Sequence, residues 1–312
     1  MAQYLLVHGA WHGAWCWQHV SEGLIRAGHS AHALTLTGLG ERSHLLHRGI
    51  DLETHVQDVL QALDAQEMQD AILVAHSYAG MLGTAVADRR PHRLKHLIYL
   101  DAVVPKPGES WSSTHASATQ KSRIDAAAES INNSFPPPDP SVFGLSAEGY
   151  DWVQRRQTPH PGGTYQHVLQ FDAARVASVP RTFINCTVPP LATIDAVRRR
   201  VLDPNFWDGL WIQNARVIEM KTGHDPMISA PKDLTALLLA CAGPYASFLA
   251  EIVVAVFASG ASGTKGCFQR VQIAQLGCGR NFNQFGLHFV SSIFELGGIF
   301  PNFWLGPCFT FV

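Results

Sequence analysis

Short apolar runs alternate with longer stretches of helical spacing over most of this chain, and this alternation constrains its fold more than any other feature. Six runs have the length of buried strands: YLLVH (4–8), AHALTL (31–36), AILVAH (71–76), HLIYLD (96–101), FINCT (183–187) and ARVIEM (215–220). Helical patterns cover residues 14–27, 53–66 and 81–88, and Pro231 begins a last helix. Strands that alternate with helices predict an α/β fold, with a mostly parallel sheet covered by helices on both faces.

Residues 105–180 interrupt this alternation between two predicted strands. They carry the segments PKPGE, SFPPPDP and TPHPGG, with few strand signals and scattered helical ones. An insertion at this point predicts a helical cap over the carboxyl ends of the strands, which is where α/β sheets bind ligands. A long disordered loop is the alternative interpretation.

The last segment, 246–312, is unlike the rest of the chain. It holds 11 of the 16 Phe residues and only five charged residues, and it lacks both the alternation and an amphipathic period. We therefore expect an α/β core (1–104 and 181–245), the cap (105–180) and an atypical Phe- and Gly-rich C-terminal extension. An oligomer contact, a poorly ordered tail and a segment of unusual coding origin are the open interpretations of this extension.

The composition is that of a globular protein that handles small molecules. The net charge of the 312 residues is −2 and no basic face can be recognised, which disfavours nucleic-acid binding. No apolar run approaches the roughly 18 residues of a membrane span, and the start MAQYLLVHGAW lacks the features of a signal peptide. The six cysteines show no CxxC pair, so reduced thiols are expected rather than disulfides or a zinc site. These features predict a cytoplasmic protein without a metal, nucleotide or flavin cofactor.

The most informative segment is AHSYAG (75–80), which follows the predicted strand at 71–76 and precedes a helix. A strained turn between a strand and a helix can hold the hydroxyl of Ser77 clear of the sheet, as a nucleophile requires. The usual pattern is G-x-S-x-G, whereas Ala75 and Ala79 stand at the flanking positions here. Alanine meets the size requirement of these crowded positions, so Ser77 is the predicted nucleophile. A structural serine in a tight turn is the alternative.

A second segment, HGAW (8–11), follows the first predicted strand. In a sheet of this kind, the loop after that strand and the residue after the nucleophile each provide a backbone N–H that stabilises a tetrahedral oxyanion. This assigns the N–H groups of Ala10 and Tyr78 to the oxyanion hole. His8 is predicted to brace the loop rather than to act as a base.

The third segment, TGHDPM (222–227), lies in the loop after the last predicted strand. Because the chain has 16 histidines, the general base must be identified by its position in the fold and not by its residue type alone. The last strand brings His224 to the sheet edge that presents Ser77, and the chain order has the serine first and the histidine last, as this arrangement requires. His224 would take the proton of Ser77 and return it to the leaving alcohol.

At HGAWHGAWCW, LTGLGERSHLL, VAHSYAGM, YLDAVVP and TGHDPM the sequence resembles α/β-hydrolase superfamily esterases. It is similar to bacterial carboxylesterases, including pyrethroid-hydrolase-like enzymes, that are related to plant methylesterases and hydroxynitrile lyases. The resemblance spans roughly residues 4–242 and implies an α/β-hydrolase fold with a helical cap and a cofactor-free serine esterase. The lyases of this family use a Thr in the first-strand loop and a Lys after the catalytic His. Gly9 and Asp225 stand at those positions here, which disfavours cyanohydrin cleavage.

The acid that would orient His224 is where the sequence departs from the plant pattern. The plant enzymes carry it just after a Cys-Thr at the end of the next-to-last strand, whereas Cys186-Thr187 is followed by VPP here. Asp101, which ends the strand at 96–101, and Asp195, in the loop after Thr187, are the two candidates. We favour Asp101 because a strand end fixes a carboxylate better than a long loop does.

These motifs predict a serine carboxylesterase that hydrolyses a small to medium apolar or aromatic ester through an acyl-enzyme on Ser77. Five tryptophans in the first loop and helix or in the cap favour such a substrate, although ordinary packing explains them equally well: Trp11, Trp15, Trp17, Trp111 and Trp152. A non-catalytic small-molecule-binding protein and a lactonase or C–C bond hydrolase are the alternatives. A serine, and not an aspartate, in the turn at 75–80 disfavours a dehalogenase or epoxide hydrolase. The expected partner is a small-molecule ester, and assembly into a homo-oligomer is left open.

Overall fold

The computed structural model describes residues 1–242. Its strands, in chain order, are β1 (Gln3–Val7), β2 (Ser30–Leu34), β3 (Ala71–His76), β4 (Leu94–Leu100), β5 (Glu109–Ser110), β6 (Ser134–Phe135), β7 (His160–Pro161), β8 (Val168–Leu169), β9 (Arg181–Cys186) and β10 (Ala215–Met220). Six of them form one parallel sheet in the order β10-β9-β4-β3-β1-β2. These are the six predicted strands, and their ends differ from the predicted ones by at most two residues.

The α-helices, in chain order, are α1 (Gln18–Arg26), α2 (Leu52–Ala65), α3 (Gly80–Arg89), α4 (Ser117–Glu129), α5 (Ala147–Gln154), α6 (Gly163–Gln166), α7 (Ala173–Ser178), α8 (Asp195–Arg200), α9 (Pro226–Ser229) and α10 (Pro231–Ala242). Short 3-10 turns cover Ala14–Trp17, Gly40–Leu45, Ser77–Ala79, Pro91–Arg93, Ser112–Thr114, Pro140–Phe143 and Ala192–Ile194. The predicted helices correspond to α1 with the 3-10 turn before it, α2, α3 and α10.

Local sequence determines where two of these helices begin or end. The Asp51 side chain accepts a hydrogen bond from the N–H of Thr54 at 2.9 Å, and together these residues form a capping box at the start of α2. Gly28, with φ +84°, follows the end of α1 in a left-handed conformation that a residue with a Cβ would adopt only at a cost.

Successive residues of the central strands face two separate hydrophobic clusters. Leu5 and Leu73 belong to the cluster that includes α2 and α3, whereas Leu6 and Val74 belong to the cluster that includes α1 and α10. A strand that is covered on both faces is apolar at every position. This is why central strands such as β1 and β3 could be recognised as nearly continuous apolar runs.

Residues 105–180 connect β4 to β9. They hold helices α4 to α7 and two short antiparallel pairs, β5 with β8 and β6 with β7. The predicted C-terminal extension, 246–312, lies outside the described residues. Across residues 1–242, no helix combines the length and the apolar character needed to cross a membrane.

Candidate active site

Ser77 lies in the turn between β3 and α3. Its φ is +54°, and a non-glycine residue in this left-handed region costs about 1–3 kcal/mol. Ala75 and Ala79, at the positions that are usually glycine, are fully buried. The closest approach falls at Gly80, where a Cβ would overlap the carbonyl oxygen of Val103 in the segment after β4. A strained serine among small residues is the geometry that the strand–serine–helix motif predicts.

His224 lies between Ser77 and Asp101. Its Nδ1 is 2.7 Å from Oδ2 of Asp101, and its Nε2 is 2.9 Å from Oγ of Ser77. Because the carboxylate can only accept, Nδ1–H donates to Asp101 and Nε2 is left to accept the hydroxyl proton of Ser77. Asp101 and His224 are 0% and 2% exposed. The three side chains therefore form one hydrogen-bonded chain that begins at Ser77 and ends in the core.

The two predicted acids occupy different environments. Oδ1 of Asp101 accepts from the N–H of Cys186 at 3.3 Å. Both carboxylate oxygens of Asp101 lie within 3.0 Å of Nη2 of Arg198. Asp195 begins α8, its side chain is 49% exposed, and its Oδ1 accepts from Nη1 of Arg198 at 2.7 Å. The structure thus brings Asp101 to His224 and connects Asp195 to Asp101 through Arg198.

Arg198 is a residue of the site that sequence reasoning missed. It is the first of three consecutive arginines, Arg198 to Arg200, and no motif distinguishes it from its neighbours. The sequence contains only an indirect indication of this role. A carboxylate buried at a strand end needs a cation or several hydrogen-bond donors near it, and the three arginines follow the predicted strand at 183–187.

The loop after β1 packs directly against the nucleophile. A Cβ on Gly9 would lie 2.7 Å from Cβ of Ser77 and 2.9 Å from Nδ1 of His76, so only glycine allows this contact. Ala10 follows Gly9 and is 2% exposed, and Tyr78 follows Ser77 and is fully buried. The two residues predicted to supply oxyanion donors therefore lie on two segments that meet at Ser77.

Two buried histidines brace these segments in their neutral form. His8 donates from Nδ1 to the carbonyl of Gly9 at 2.7 Å and accepts at Nε2 from the N–H of Leu36 at 3.1 Å. His76 donates from Nε2 to the carbonyl of His224 at 2.9 Å. Burial lowers the pKa of His8 to about 3, and burial together with the neighbouring His224 lowers the pKa of His76 to about 3.

A buried ion pair joins the loop after β1 to the loop after β10. Nε2 of His12 is 3.0 Å from Oδ2 of Asp225, and Nδ1 of His12 is 2.8 Å from the carbonyl oxygen of Ala10. Since both partners can only accept, both ring nitrogens must carry protons. Burial alone would lower the pKa of His12, but the Asp225 carboxylate holds it above its ordinary value. Burial alone would raise the pKa of Asp225, and the nearby His12 holds it below its ordinary value.

One group of potential metal ligands lies at this site within residues 1–242. Side-chain atoms of His76, His224 and Asp225 lie within 4.8 Å of one another. Both ring nitrogens of His224 already have hydrogen-bond partners, Ser77 and Asp101. A metal ion at His224 would have to displace one of them, so the arrangement favours proton transfer at this histidine.

Aromatic side chains from the loop after β1 and from residues 105–180 form a cluster beside the site. Its members are Trp11, Trp111, Phe135, His160 and Tyr165. Trp111 packs on Tyr78 with ring centroids 4.8 Å apart. Phe143 packs on His224 at 5.7 Å, and its carbonyl accepts the N–H of His224 at 2.8 Å. Residues from 105–180 therefore contact both the serine turn and the histidine loop.

The other three tryptophans singled out in the sequence have different surroundings. Trp15 stacks on His12 with centroids 5.2 Å apart and packs edge-on against Trp152 at 5.5 Å. Trp17 belongs to the hydrophobic cluster that includes α1 and α10. Of the five, Trp11 and Trp111 lie in the aromatic cluster.

Comparison with known proteins identifies the family of this chain. Residues 4–237 match the alpha/beta hydrolase family. The chain belongs to this family. It is 35% identical over 250 residues to a carbendazim hydrolyzing esterase from Nocardioides sp. (strain SG-4G), a match that covers 77% of this chain and 99% of that protein. Methylesterase 7 of Arabidopsis thaliana is 29% identical, over 78% of this chain and 97% of the relative.

Solved structures agree on the fold of this hydrolase. An extracellular alpha/beta-hydrolase from a Paenibacillus species superimposes with a TM-score of 0.65 at 22% identity, covering 77% of this chain and 98% of its own. Polyneuridine aldehyde esterase superimposes with a TM-score of 0.59 at 19% identity, covering 78% and 100%.

The family match and the esterase relatives over most of the chain make the protein a carboxylic ester hydrolase. The fold class and the resemblance to esterases related to plant methylesterases, both predicted from the motifs, are confirmed.

Proposed function

We propose that this hydrolase cleaves esters by nucleophilic attack of Ser77, with His224 as general base and Asp101 as the acid that orients it. The observation that carries the proposal is the hydrogen-bonded chain through His224, with 2.9 Å to Ser77 and 2.7 Å to Asp101. As Oγ bonds to the ester carbonyl carbon, Nε2 takes its proton and then returns it to the departing alkoxide, which leaves an acyl-enzyme. Water, deprotonated by the same nitrogen, releases the acid and regenerates Ser77.

The N–H groups of Ala10 and Tyr78 are the proposed donors to the oxyanion. The contact of Gly9 with Ser77 supports this role, because it brings the loop after β1 to the attacking atom. His12 supports it further, since its hydrogen bond to the carbonyl of Ala10 orients that residue's backbone. Such donors act on charge that develops only in the transition state, and the loss of one typically costs about 2.7–4 kcal/mol of barrier.

We further propose that residues 105–180 act as a cap and that the substrate is a small to medium ester with an apolar or aromatic group. Trp111 lies against Tyr78 and Phe143 lies against His224, so an ester bound at Ser77 would meet rings from this segment. Aromatic walls of this kind favour an apolar or aromatic substrate body.

The decisive experiment is hydrolysis of p-nitrophenyl butyrate by the full-length chain and by Ser77→Ala. The variant is expected to lose at least about 10⁴-fold in kcat, because no other group replaces the nucleophile. Ser21→Ala is the matched control, since the buried Oγ of Ser21 has no hydrogen-bond partner in the described structure and its loss should leave the rate unchanged. A Ser77→Ala protein that is folded and keeps the wild-type rate would exclude the mechanism.

A lactonase or a C–C bond hydrolase would use the same three side chains and differ in its pocket. A panel that varies the acid and the alcohol of linear esters separately, and includes lactones and β-diketones, discriminates among these activities. The proposal requires the highest kcat/KM for a linear ester with an apolar or aromatic group.

A further inference from the structure

Arg198, in α8, places its guanidinium against the acid of the proposed site. Its side chain is 11% exposed. Nη2 lies 2.9 and 3.0 Å from the two carboxylate oxygens of Asp101 and 3.2 Å from the carbonyl oxygen of Cys186. These acceptors lie at the carboxyl ends of β4 and β9. One nitrogen of this side chain therefore binds the sheet edge at which Ser77 and His224 meet.

The rest of the guanidinium is held from its other side. Nε donates to Oδ1 of Asn185 at 2.7 Å, and Nη1 donates to the carbonyl of Leu191 at 2.8 Å and to Oδ1 of Asp195 at 2.7 Å. Acceptors thus lie around the whole plane of the group and leave it one orientation. A lysine, which carries its charge on a single nitrogen, could not make these contacts at the same time.

Asp101 is the group that depends on this contact. It is fully buried, and its hydrogen bonds come from His224, from the N–H of Cys186 and from Arg198. A buried carboxylate is stable only when a cation or several donors compensate it. We propose that Arg198 is a positioning residue, which fixes the carboxylate of Asp101 toward His224 and offsets the negative charge that His224 experiences. The inference rests on the proposed role of Asp101 in catalysis.

Asp195 has a part in this arrangement as the anchor of Arg198. Its carboxylate is half exposed and accepts from Nη1, one of the two nitrogens of Arg198 that do not contact Asp101. The two aspartates selected from the sequence therefore act in series: Asp101 on His224, and Asp195 on the residue that holds Asp101.

The other titratable groups around His224 are neutral or already paired. His76 packs on His224 with ring centroids 4.7 Å apart, and its pKa of about 3 keeps it uncharged. Asp225, next in the chain, forms its ion pair with His12 at 3.0 Å. Within residues 1–242, Arg198 is the arginine or lysine that forms an ion pair with the acid partner of His224. Removal of Arg198 should therefore leave the charge of Asp101 uncompensated beside His224.

The test compares Arg198→Met and Arg198→Lys with Arg93→Met in the full-length chain. Arg93 is the matched control: its side chain is 12% exposed, and the carbonyls of Met68 and Leu63 and the carboxylate of Asp64 hold it away from the site. Hydrolysis of p-nitrophenyl butyrate is measured between about pH 5 and about pH 9, and circular dichroism verifies that each variant is folded.

Arg198→Met is expected to lower kcat about 10- to 100-fold, as the loss of a partner that orients a ligand does in other sites, with little change in KM. The acidic limb of kcat/KM should move to higher pH, because loss of the guanidinium charge leaves the Asp101 carboxylate beside the catalytic base uncompensated. Arg198→Lys keeps the charge and loses the fixed geometry, so kcat should fall while the limb stays in place. Arg93→Met should change neither.

A folded Arg198→Met with the wild-type kcat, or with a lower kcat and an unmoved acidic limb, overturns the inference. If that variant does not fold, Arg198→Lys decides: a wild-type kcat overturns the inference, and a reduced kcat with an unmoved limb supports it. Failure of the proposed mechanism looks different, because Ser77→Ala would then keep its activity. If instead the role of Arg198 is wrong and the mechanism is right, Ser77→Ala is inactive and the Arg198 variants behave like Arg93→Met.

Discussion

At the scale of single residues, burial separates the two aspartates that the sequence leaves as candidates. Asp101 is fully buried after β4 and contacts His224, whereas Asp195 is half exposed and contacts Arg198. A strand end and the loop beyond the next strand can both bring a carboxylate to this sheet edge. Which aspartate reaches His224 depends on how α8 packs against the sheet. The six residues of α8 are too few to show a pattern that would predict this packing.

Asp101→Asn is expected to lower kcat by about 10⁴-fold, because an amide can stabilise the wrong tautomer of His224 and cannot offset its charge. Asp195→Asn should lower kcat by less than about tenfold, since solvent screens its half-exposed ion pair and the other contacts of Arg198 remain. The measurement is kcat with p-nitrophenyl butyrate for purified variants that are shown to be folded. The reverse ranking would mean that Asp195 is the acid.

At the scale of elements, the candidate site is built on segments that follow β1, β3, β4, β9 and β10. The sequence identifies the segments after β1, β3 and β10 by their motifs and the one after β4 by its aspartate. The central strands β1 and β3 could be located because each is a nearly continuous apolar run, buried on both faces of the sheet. The ion pair between His12 and Asp225 was not predicted, because no motif relates these two residues, which are 213 positions apart. The pairs β5–β8 and β6–β7 were also missed, since two-residue strands are too short to show a period.

The ion pair between His12 and Asp225 should make folding stability depend on pH. The pKa of His12 is raised in the folded protein, so the stabilisation is fully present below the unfolded value of about 6.5 and is lost as pH rises through the folded value. Between the unfolded and the folded pKa values of His12, the free energy of unfolding falls by up to about 1.4 kcal/mol for each pH unit. Urea unfolding at about pH 6 and about pH 9 measures the change.

The double variant His12→Gln/Asp225→Asn is the control for this prediction, because two amides keep a hydrogen bond without a titrating pair. Its free energy of unfolding should depend less on pH in that window than that of the wild type. His12→Gln alone leaves a buried carboxylate without its cation and should cost about 3–5 kcal/mol. An identical pH dependence in the wild type and the double variant would show that His12 is not protonated in the folded state.

At the scale of the whole molecule, residues 1–242 contain every group assigned to the site. The family match covers residues 4–237, and the match to the Nocardioides esterase covers 99% of that protein. The hydrophobic cluster that includes α1 extends to α10, where Leu234 and Leu238 are fully buried. We propose on these grounds that the core and cap form a complete hydrolase and that residues 246–312 are an addition to it.

A chain that ends at residue 245 is therefore expected to fold and to hydrolyse p-nitrophenyl butyrate. Its kcat/KM should differ from that of the full chain by less than about twofold, which corresponds to under ~0.5 kcal/mol of transition-state stabilisation. The physical reason is that the serine, histidine and acid, their buried partners and the members of both hydrophobic clusters within residues 1–242 precede the cut. Ser77→Ala in the shortened chain controls for contaminating esterases. A shortened protein that is folded but has lost most of its kcat/KM, with the full chain active in the same assay, would mean that residues 246–312 contribute to the site.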